Sequence, residues 1–396
     1  MPLDSEEYTE KVIETRLNTP YGAAELVDQR VEKNEISGLE HLEVDEEMAF
    51  DAEKIATGVY TPLTGFLNKE ELDSVLDNMS LPNGMPWTIP FILAPKKLSN
   101  KIKKGEKVII DYKHSSVAMI EVSETYKLDK KRVSMQVFGV SDASHPNVKE
   151  LIENYGDTAI AGKVYLIAPP KHPLKEFELS PKDIREKLFA MKFKSVAAFQ
   201  CRNPPHRGHE YIQRMALENA EALLIHPVLG KLKEGDYKPE IIYHTYRYFI
   251  DNYFPSDRVL LSPLLISMRY AGPRSAVLFA IIRRNFGCTH FTVGRDMSGV
   301  GGLYEPYAAH RLFQRFEDKL NMKFIFFNEI GYCRRCKQIV SDRNCTHSSD
   351  QIKISQTAIR EMLSKGEKPP EEMIRGDVAE KILELSAKSG GTFVKD

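Results

Sequence analysis

The chain has 396 residues, 42% hydrophobic and 28% charged, with 55 Lys and Arg against 56 Asp and Glu for a formal charge of −1. That length holds two or three domains, the composition is that of a folded globular protein, and the near-neutral charge argues against generic nucleic-acid binding. No apolar run approaches a membrane span, residues 1–7 are too acidic for a signal peptide, and five cysteines read as metal ligands or buried thiols, so the expected location is the cytoplasm.

In chain order, residues 1–168 read as a separate, mixed, strand-rich domain. Residues 107–110, 117–120 and 134–138 are short strand candidates spaced by Gly, Asp and Lys turns, and 48–56 is helical in composition. Pro169, Pro170 and Pro173 hold an extended linker. Ser180, Pro181 and Asp183 supply an N-cap, a first-turn proline and a first-turn acid, which predicts a helix to about residue 191. From residue 195 the pattern runs strand, polar turn, helix, strand (222–226), loop, helix (241–253), strand (259–261), helix, strand (289–293). Such alternation predicts an α/β domain over 169–330, a parallel sheet wrapped by helices with ligands at the carboxyl ends of its strands.

The stretch 199–210 reads F-Q-C-R-N-P-P-H-R-G-H-E. The apolar run 195–199 feeds it, and Tyr211, Ile212, Met215 and Ala216 recur at helical spacing after it, so a helix opens near Gly208. A strand, a polar turn and a helix start form an anion site, because free N–H groups and the helix dipole face the ligand. His206 and His209, three apart, can lie on one face and meet one anion. A helix cap or a metal pair are the competing readings. The zinc-protease order needs His-Glu-x-x-His, whereas Glu210 follows both histidines. Gln200, Arg202 and Asn203 in the same ten residues favour phosphate.

Residues 294–302 open a second loop, Gly294-Arg295-Asp296-Met297-Ser298-Gly299 and onward, about ninety residues later and at the end of a strand. Glycine there lets backbone approach a nucleotide closely. From residue 331, Cys333 and Cys336 as C-x2-C, then eight residues, then Cys345 and His347 as C-x-H, suit a closed tetrahedral zinc site of structural kind. No G-x-x-x-x-G-K-[ST] string occurs.

The H-x-G-H element resembles that of the adenylyl- and cytidylyltransferases, and the longer 199–210 string resembles ATP sulfurylase. Further strings agree in order and spacing: Pro20-Tyr21-Gly22, residues 58–67, 86–90, 226–236, 267–274, the Gly294-Arg295-Asp296 loop and 354–363. The resemblance implies a Rossmann-like nucleotidyltransferase domain (169–330), a β-rich PUA-like domain before it (1–168) and a small zinc-containing subdomain after it (331–396). It implies attack of sulfate on the α-phosphorus of ATP, giving adenosine 5′-phosphosulfate and pyrophosphate, with Mg²⁺ accompanying ATP and a homodimer as the assembly. By position, Gln200, Arg202 and the Ser298 N–H hold sulfate. Gln200, Asn203, His206, His209, Gly294, Arg295, Asp296 and Met297 bind ATP. Cys201, Arg202, Asn203, His206, His209 and Arg295 form the catalytic set. Here the chain departs from the family's pattern at Cys201 (usually Thr), Ser275 (Glu), Phe279 (His), Met297 (His), Ser298 (Ala) and Gln356 (Gly), as if a polar network had been exchanged for packing. A coenzyme-precursor adenylyltransferase and an RNA-binding protein are the rival readings; the first lacks the N-terminal domain, and the neutral charge weighs against the second.

Overall fold

The computed structural model describes residues 17–32, 36–99, 101–299 and 302–394. The acidic start and Val300–Gly301 of the second loop lie outside the described residues.

The first region is a five-stranded mixed sheet in the order β1-β3-β4-β5-β2. Its elements are β1 (Glu40–Glu43), α1 (Glu46–Ala56), β2 (Gly65–Phe66), α2 (Lys69–Asn78), β3 (Lys107–Tyr112), β4 (Ser115–Lys127), α3 (Lys130–Phe138), α4 (Pro146–Asn154) and β5 (Thr158–Leu166). Two of the three expected strands are there. The third, 134–138, is instead the end of α3. Asp129 caps that helix by accepting from the Arg132 N–H at 2.9 Å. Val133, Ser134, Val137 and Phe138, two pairs four apart, are its buried positions, while Met135, which the alternating pattern would place on the same face as Val137, is 46% exposed. In α1, residues 47–56 are buried throughout, including Glu47, Asp51, Glu53 and Lys54. Its apolar side packs on β4 and β5 and its charges turn to the second region.

The second region begins with α5 (Pro181–Ala190), where Ser180 and Asp183 form a reciprocal capping box. Then come β6 (Val196–Phe199), α6 (Arg207–Asn219), β7 (Ala222–Ile225), α7 (Pro239–Tyr253), β8 (Val259–Leu261), α8 (Pro273–Asn285), β9 (His290–Val293), α9 (Ala308–Leu320) and β10 (Lys323–Phe326). Their sheet runs β10-β9-β6-β7-β8, and every pairing is parallel. β6, β7 and β9 are buried at all four positions, as strands covered on both faces must be. The order reverses between β6 and β9, so the loops that leave these two strands separate to opposite sides and open a crevice at their carboxyl ends.

The last stretch adds an antiparallel three-stranded sheet, β11 (Ile330–Cys333), β12 (Gln338–Ser341) and β13 (Gln351–Lys353), then α10 (Gln356–Ser364) and α11 (Gly376–Lys388). Ile359 and Leu363 of α10 and Val378 and Ile382 of α11 join the same buried cluster as Tyr246, Phe249 and Ile250 of α7. The two helices therefore share the core of the parallel-sheet region.

Candidate functional site

After Phe199 the chain turns through Pro204 and Pro205 into α6, and His206 closes that turn as the helix N-cap. Its Nδ1 accepts from the Gly208 N–H at 3.1 Å and the His209 N–H at 3.2 Å. Gly208 leaves room for that turn, since a Cβ there would sit 3.1 Å from His206 Cε1, closer than an ordinary contact. The two imidazoles stack with centroids 3.6 Å apart, and Phe199 meets His209 edge-on at 5.1 Å. The cap and the anion readings of the two histidines thus describe one geometry, with His206 ahead of the helix and His209 in its first turn. Burial, then the neighbouring His209, pushes His206 well below the usual imidazole range. Burial takes His209 down to about 3, although the Pro204 carbonyl beside it pulls the other way. Both rings are neutral at pH 7.

Gln200, Cys201, Arg202, Asn203 and His209 form one wall of a cleft of ≈ 550 Å³, and Gly294, Asp296, Met297 and Ser298 form the other. Arg202 donates from Nη2 to Asp236 Oδ2 at 2.5 Å and lies 5.1 Å from the Tyr270 ring centroid. Asn203 Oδ1 accepts from Arg360 Nη2 at 2.8 Å. Gln200 Oε1 has no protein partner among the described residues. Ser298 has φ +59°, a left-handed conformation that aims its backbone away from the strand direction. Arg295 does not line this cleft. It borders an adjoining one of ≈ 450 Å³ that shares Asp296 and Met297, and its Nη1 is 2.6 Å from Asp296 Oδ2. The Cys201 thiol is buried and pushed up to about 12 by that burial, so it stays protonated. Of the other departures, Ser275 Oγ accepts from the Ala271 N–H at 3.0 Å, Phe279 is wholly buried, and Met297 packs on the core.

Among the site residues with no role in the sequence reading, five bear on its polar chemistry. Lys233, Asp236, Tyr270 and Arg360 line the cleft, and Tyr246 sits with its hydroxyl 3.1 Å from His209 Nδ1. Four of them lie in the stretches 226–236, 267–274 and 354–363 that match the family; that match was the available signal. Tyr246 lies inside α7 with no motif around it. Glu210 is an anchor instead: Arg375 reaches it at 2.7 and 2.9 Å and Arg214 at 2.9 Å. Burial would raise its carboxyl, and those guanidinium hydrogen bonds more than offset it.

Sγ of Cys333, Cys336 and Cys345 and Nδ1 of His347 all lie within 4.8 Å of one another. Cys336 and Cys345 Sγ are 3.8 Å apart, and the His347 nitrogen is 3.2 to 3.8 Å from the three sulfurs. Two thiolates at about 2.3 Å from a tetrahedral centre are separated by about 3.8 Å. The donor set fits one metal ion with no open position. Among the described residues no carboxylate cage faces the main cleft, since Asp236 and Asp296 are each engaged by an arginine.

No helix of the described residues is long and apolar enough to cross a membrane. Residues 18–169 match the model of a PUA-like domain and residues 175–385 that of ATP-sulfurylase. A sulfate adenylyltransferase of Aeropyrum pernix is 42% identical over 346 residues, covering 86% of this chain and 90% of that one. One of Chloroflexus aurantiacus is 38% identical over 367 residues, covering 92% and 96%. A solved structure described as hexameric APS kinase from Thiobacillus denitrificans shares the fold, with a TM-score of 0.72 at 24% identity over 92% of this chain and 68% of that one. With both family models matched in order along one chain, and the second spanning the strands whose ends form the cleft, this chain belongs to the ATP-sulfurylase family.

Proposed function

We propose that the cleft between β6 and β9 joins sulfate to ATP, releasing pyrophosphate and forming adenosine 5′-phosphosulfate. The observation that carries this reading is the convergence of Arg202, Lys233 and Arg360 with the α6 N-terminus and the neutral His209 imidazole on one crevice at the switch point, His206 stacking on His209 without lining that crevice itself. Sulfate is a dianion at neutral pH and needs no base. The site's task is to hold two mutually repelling anions in line and to stabilise charge growing on the departing pyrophosphate. Gln200, Arg202 and the Ser298 N–H would hold sulfate. One guanidinium nitrogen of Arg202 is committed to Asp236, leaving its other donors for the anion. Asn203, held by Arg360, would orient the triphosphate together with Gly294, Asp296 and Met297. Arg295, from the adjoining cleft, would meet the outer phosphates. His206 and His209 would donate to the β and γ phosphate oxygens, and Cys201 would pack the floor. Mg²⁺ would arrive as part of the MgATP substrate.

The decisive measurement is pyrophosphate release from ATP with and without sulfate. Release should depend on sulfate and accept molybdate or selenate in its place. Arg202→Ala should lower sulfate-dependent turnover roughly ten- to a hundredfold, the loss of a charge-assisted contact of about 1.5–3 kcal/mol. Turnover independent of sulfate would refute the reading.

Cys333, Cys336, Cys345 and His347 would hold one structural Zn²⁺, which supplies folding energy and no chemistry. Metal analysis should find one zinc per chain, and Cys333→Ser should lower thermal stability before it alters kcat; a full-strength melt in that variant would remove the site. The divisions 1–168, 169–330 and 331–396 and a cytoplasmic homodimer complete the reading, its cytoplasmic part supported by five cysteines that are not paired with one another. Solution mass tests the dimer, with the hexamer described for the structural neighbour as the competing outcome.

A further inference from the structure

The protonation pattern of the two stacked imidazoles is set from behind the cleft. His206 is settled by the backbone alone. Two N–H groups, those of Gly208 and His209, point at its Nδ1, so that nitrogen must be bare and the ring proton must sit on Nε2. Among the described residues no backbone N–H points at Nδ1 of His209; the backbone group against its ring is the Pro204 carbonyl, an acceptor that calls for a ring N–H. Its Nδ1 faces the hydroxyl of Tyr246, 3.1 Å away, a side chain with no exposed surface at all.

We propose that Tyr246 is a positioning residue that donates its phenolic proton to His209 Nδ1 and so holds His209 as an Nε2–H donor toward the bound anions. A phenol can donate once and accept in two directions. The Cys201 thiol and the Gln213 amide flank the same hydroxyl. Cys201 keeps its proton, as burial dictates, whereas neither amide atom of Gln213 makes a hydrogen bond to protein among the described residues. The contact to His209 Nδ1 is the hydrogen bond that the geometry gives this hydroxyl, and a protonated Cys201 beside it does not compete for the phenolic proton. The opposite tautomer would turn a lone pair of Nε2 toward phosphate oxygens, which are acceptors only. The groups facing the His209 ring are His206, stacked on it, Phe199 at its edge, the Pro204 carbonyl and Tyr246. None of them is a carboxylate that would favour an imidazolium. A donor fixed in advance costs no reorganisation when charge develops on the leaving pyrophosphate.

The inference rests on the proposed sulfate adenylyltransferase reading for its effect on rate, but not for the tautomer itself. The experiment is nitrogen-15 NMR of histidine-labelled full-length protein, with His209 assigned by loss of its signals in His209→Asn. Parent protein should show His209 with bare Nδ1 and protonated Nε2, and Tyr246→Phe should shift it toward a mixture. In turnover, Tyr246→Phe should lower kcat about three- to tenfold, the span of one hydrogen bond, with KM for ATP and for sulfate within about twofold. The kcat loss should vanish when Tyr246→Phe is made in the His209→Asn background, whereas a merely structural tyrosine would cost the same in both. A protonated Nδ1 in the parent, a tautomer unchanged by Tyr246→Phe, or an equal rate loss in both backgrounds would overturn the proposal. Absent sulfate-dependent turnover with the expected tautomer would instead overturn the functional reading and leave the hydrogen bond standing.

Discussion

Two buried patches of charge adjoin the cleft, and they are built on opposite rules. In the first, α1 of the PUA-like region presents Glu47 and Asp51 to Arg269, which lies between the cleft residues Met268 and Tyr270. Tyr155 donates to Glu47 at 2.9 Å, and Tyr60 faces Asp51 at 3.3 Å. One turn further, Lys54 reaches Glu178 at 2.7 Å and Glu53 at 3.1 Å, and Lys175 joins both acids. In the second patch, Arg283 of α8 is fully buried with a single hydrogen bond, from Nη2 to the His226 carbonyl at 3.1 Å. Its Nε and Nη1 have no protein partner among the described residues, and neither do the ring nitrogens of the buried His226. The face of Phe279, 5.3 Å away, is its other neighbour of note. The matched patch staples one region to the loop that shapes the cleft. The unmatched patch leaves a positive charge uncancelled behind the strand ends where anions are to bind.

If matching is what makes the first patch structural, removing its one shared cation should be the most damaging change. Arg269→Ala strands two buried carboxylates, which costs about 3–5 kcal/mol. Chemical denaturation should show that loss, and replacing Glu47 and Asp51 by Gln and Asn in the same chain should recover much of it. A loss below about 1 kcal/mol would mean that the pairs are surface-like and the contrast is empty.

Acid probes the same patch more gently. Burial opposes ionisation of Glu178, yet Lys54 and Lys175 hold its carboxyl down at about 2 in the fold. A depressed carboxyl stabilises the fold above its unfolded pKa of about 4.5, and the benefit is lost as pH falls toward 2. The expected loss over that window is on the order of 2 kcal/mol. Asp51, raised by burial, works in the opposite sense. The reading is therefore the difference between parent and Glu178→Gln, which should narrow as pH falls from 4.5 to 2. A constant difference would show that Glu178 acts through packing and its hydrogen bond to the Leu265 N–H, not through charge.

Neither patch was legible in the sequence, and the reason is physical. Glu47 and Arg269 are 222 residues apart, and nothing local marks either as buried; an acid-rich helix start such as 46–53 reads as a solvated face. What was legible was local chemistry: the strand-turn-helix of 199–210, whose prolines and His206 cap write their own geometry, and the Cys333 to His347 spacing, which a tetrahedral donor set dictates. The parallel sheet followed from alternation and buried strands such as 222–225. The strand expected at 134–138 failed because a five-residue apolar pattern also satisfies a helix that buries Val133, Ser134, Val137 and Phe138. Arg360 reached the cleft from a segment whose Ser355 cap explained it locally, so its second use was hidden. Tyr246 escaped because a tyrosine inside an amphipathic helix looks like core until His209 is placed against it.

The smallest expected effect on stability, and the sharpest on the contrast, belongs to Arg283→Met. Methionine keeps the length and packing of the side chain and gives up only the guanidinium. Where charge is matched, such a change leaves a partner stranded; here no carboxylate is paired with Arg283 among the described residues, and what is lost is one hydrogen bond and a contact with an aromatic face. Relieving an unpaired buried charge offsets those losses, so stability should stay within about 1 kcal/mol of the parent, with a gain as the favoured sign. Function should respond differently. The His226 N–H is bonded to the carbonyl of Phe199, and Phe199 and Cys201 are cleft wall, so the charge stands behind that wall, and a separation of roughly 10 Å from a bound anion sets the scale. At an effective dielectric of about 20 that is worth between 1 and 2 kcal/mol per unit charge before solvent screening. Sulfate KM should therefore rise several-fold, and selenate and molybdate should weaken alongside it, since a field does not distinguish tetrahedral dianions. A melt lowered by about 3 kcal/mol or more with sulfate KM unchanged would show that Arg283 is an ordinary structural residue, and the two patches would then obey one rule.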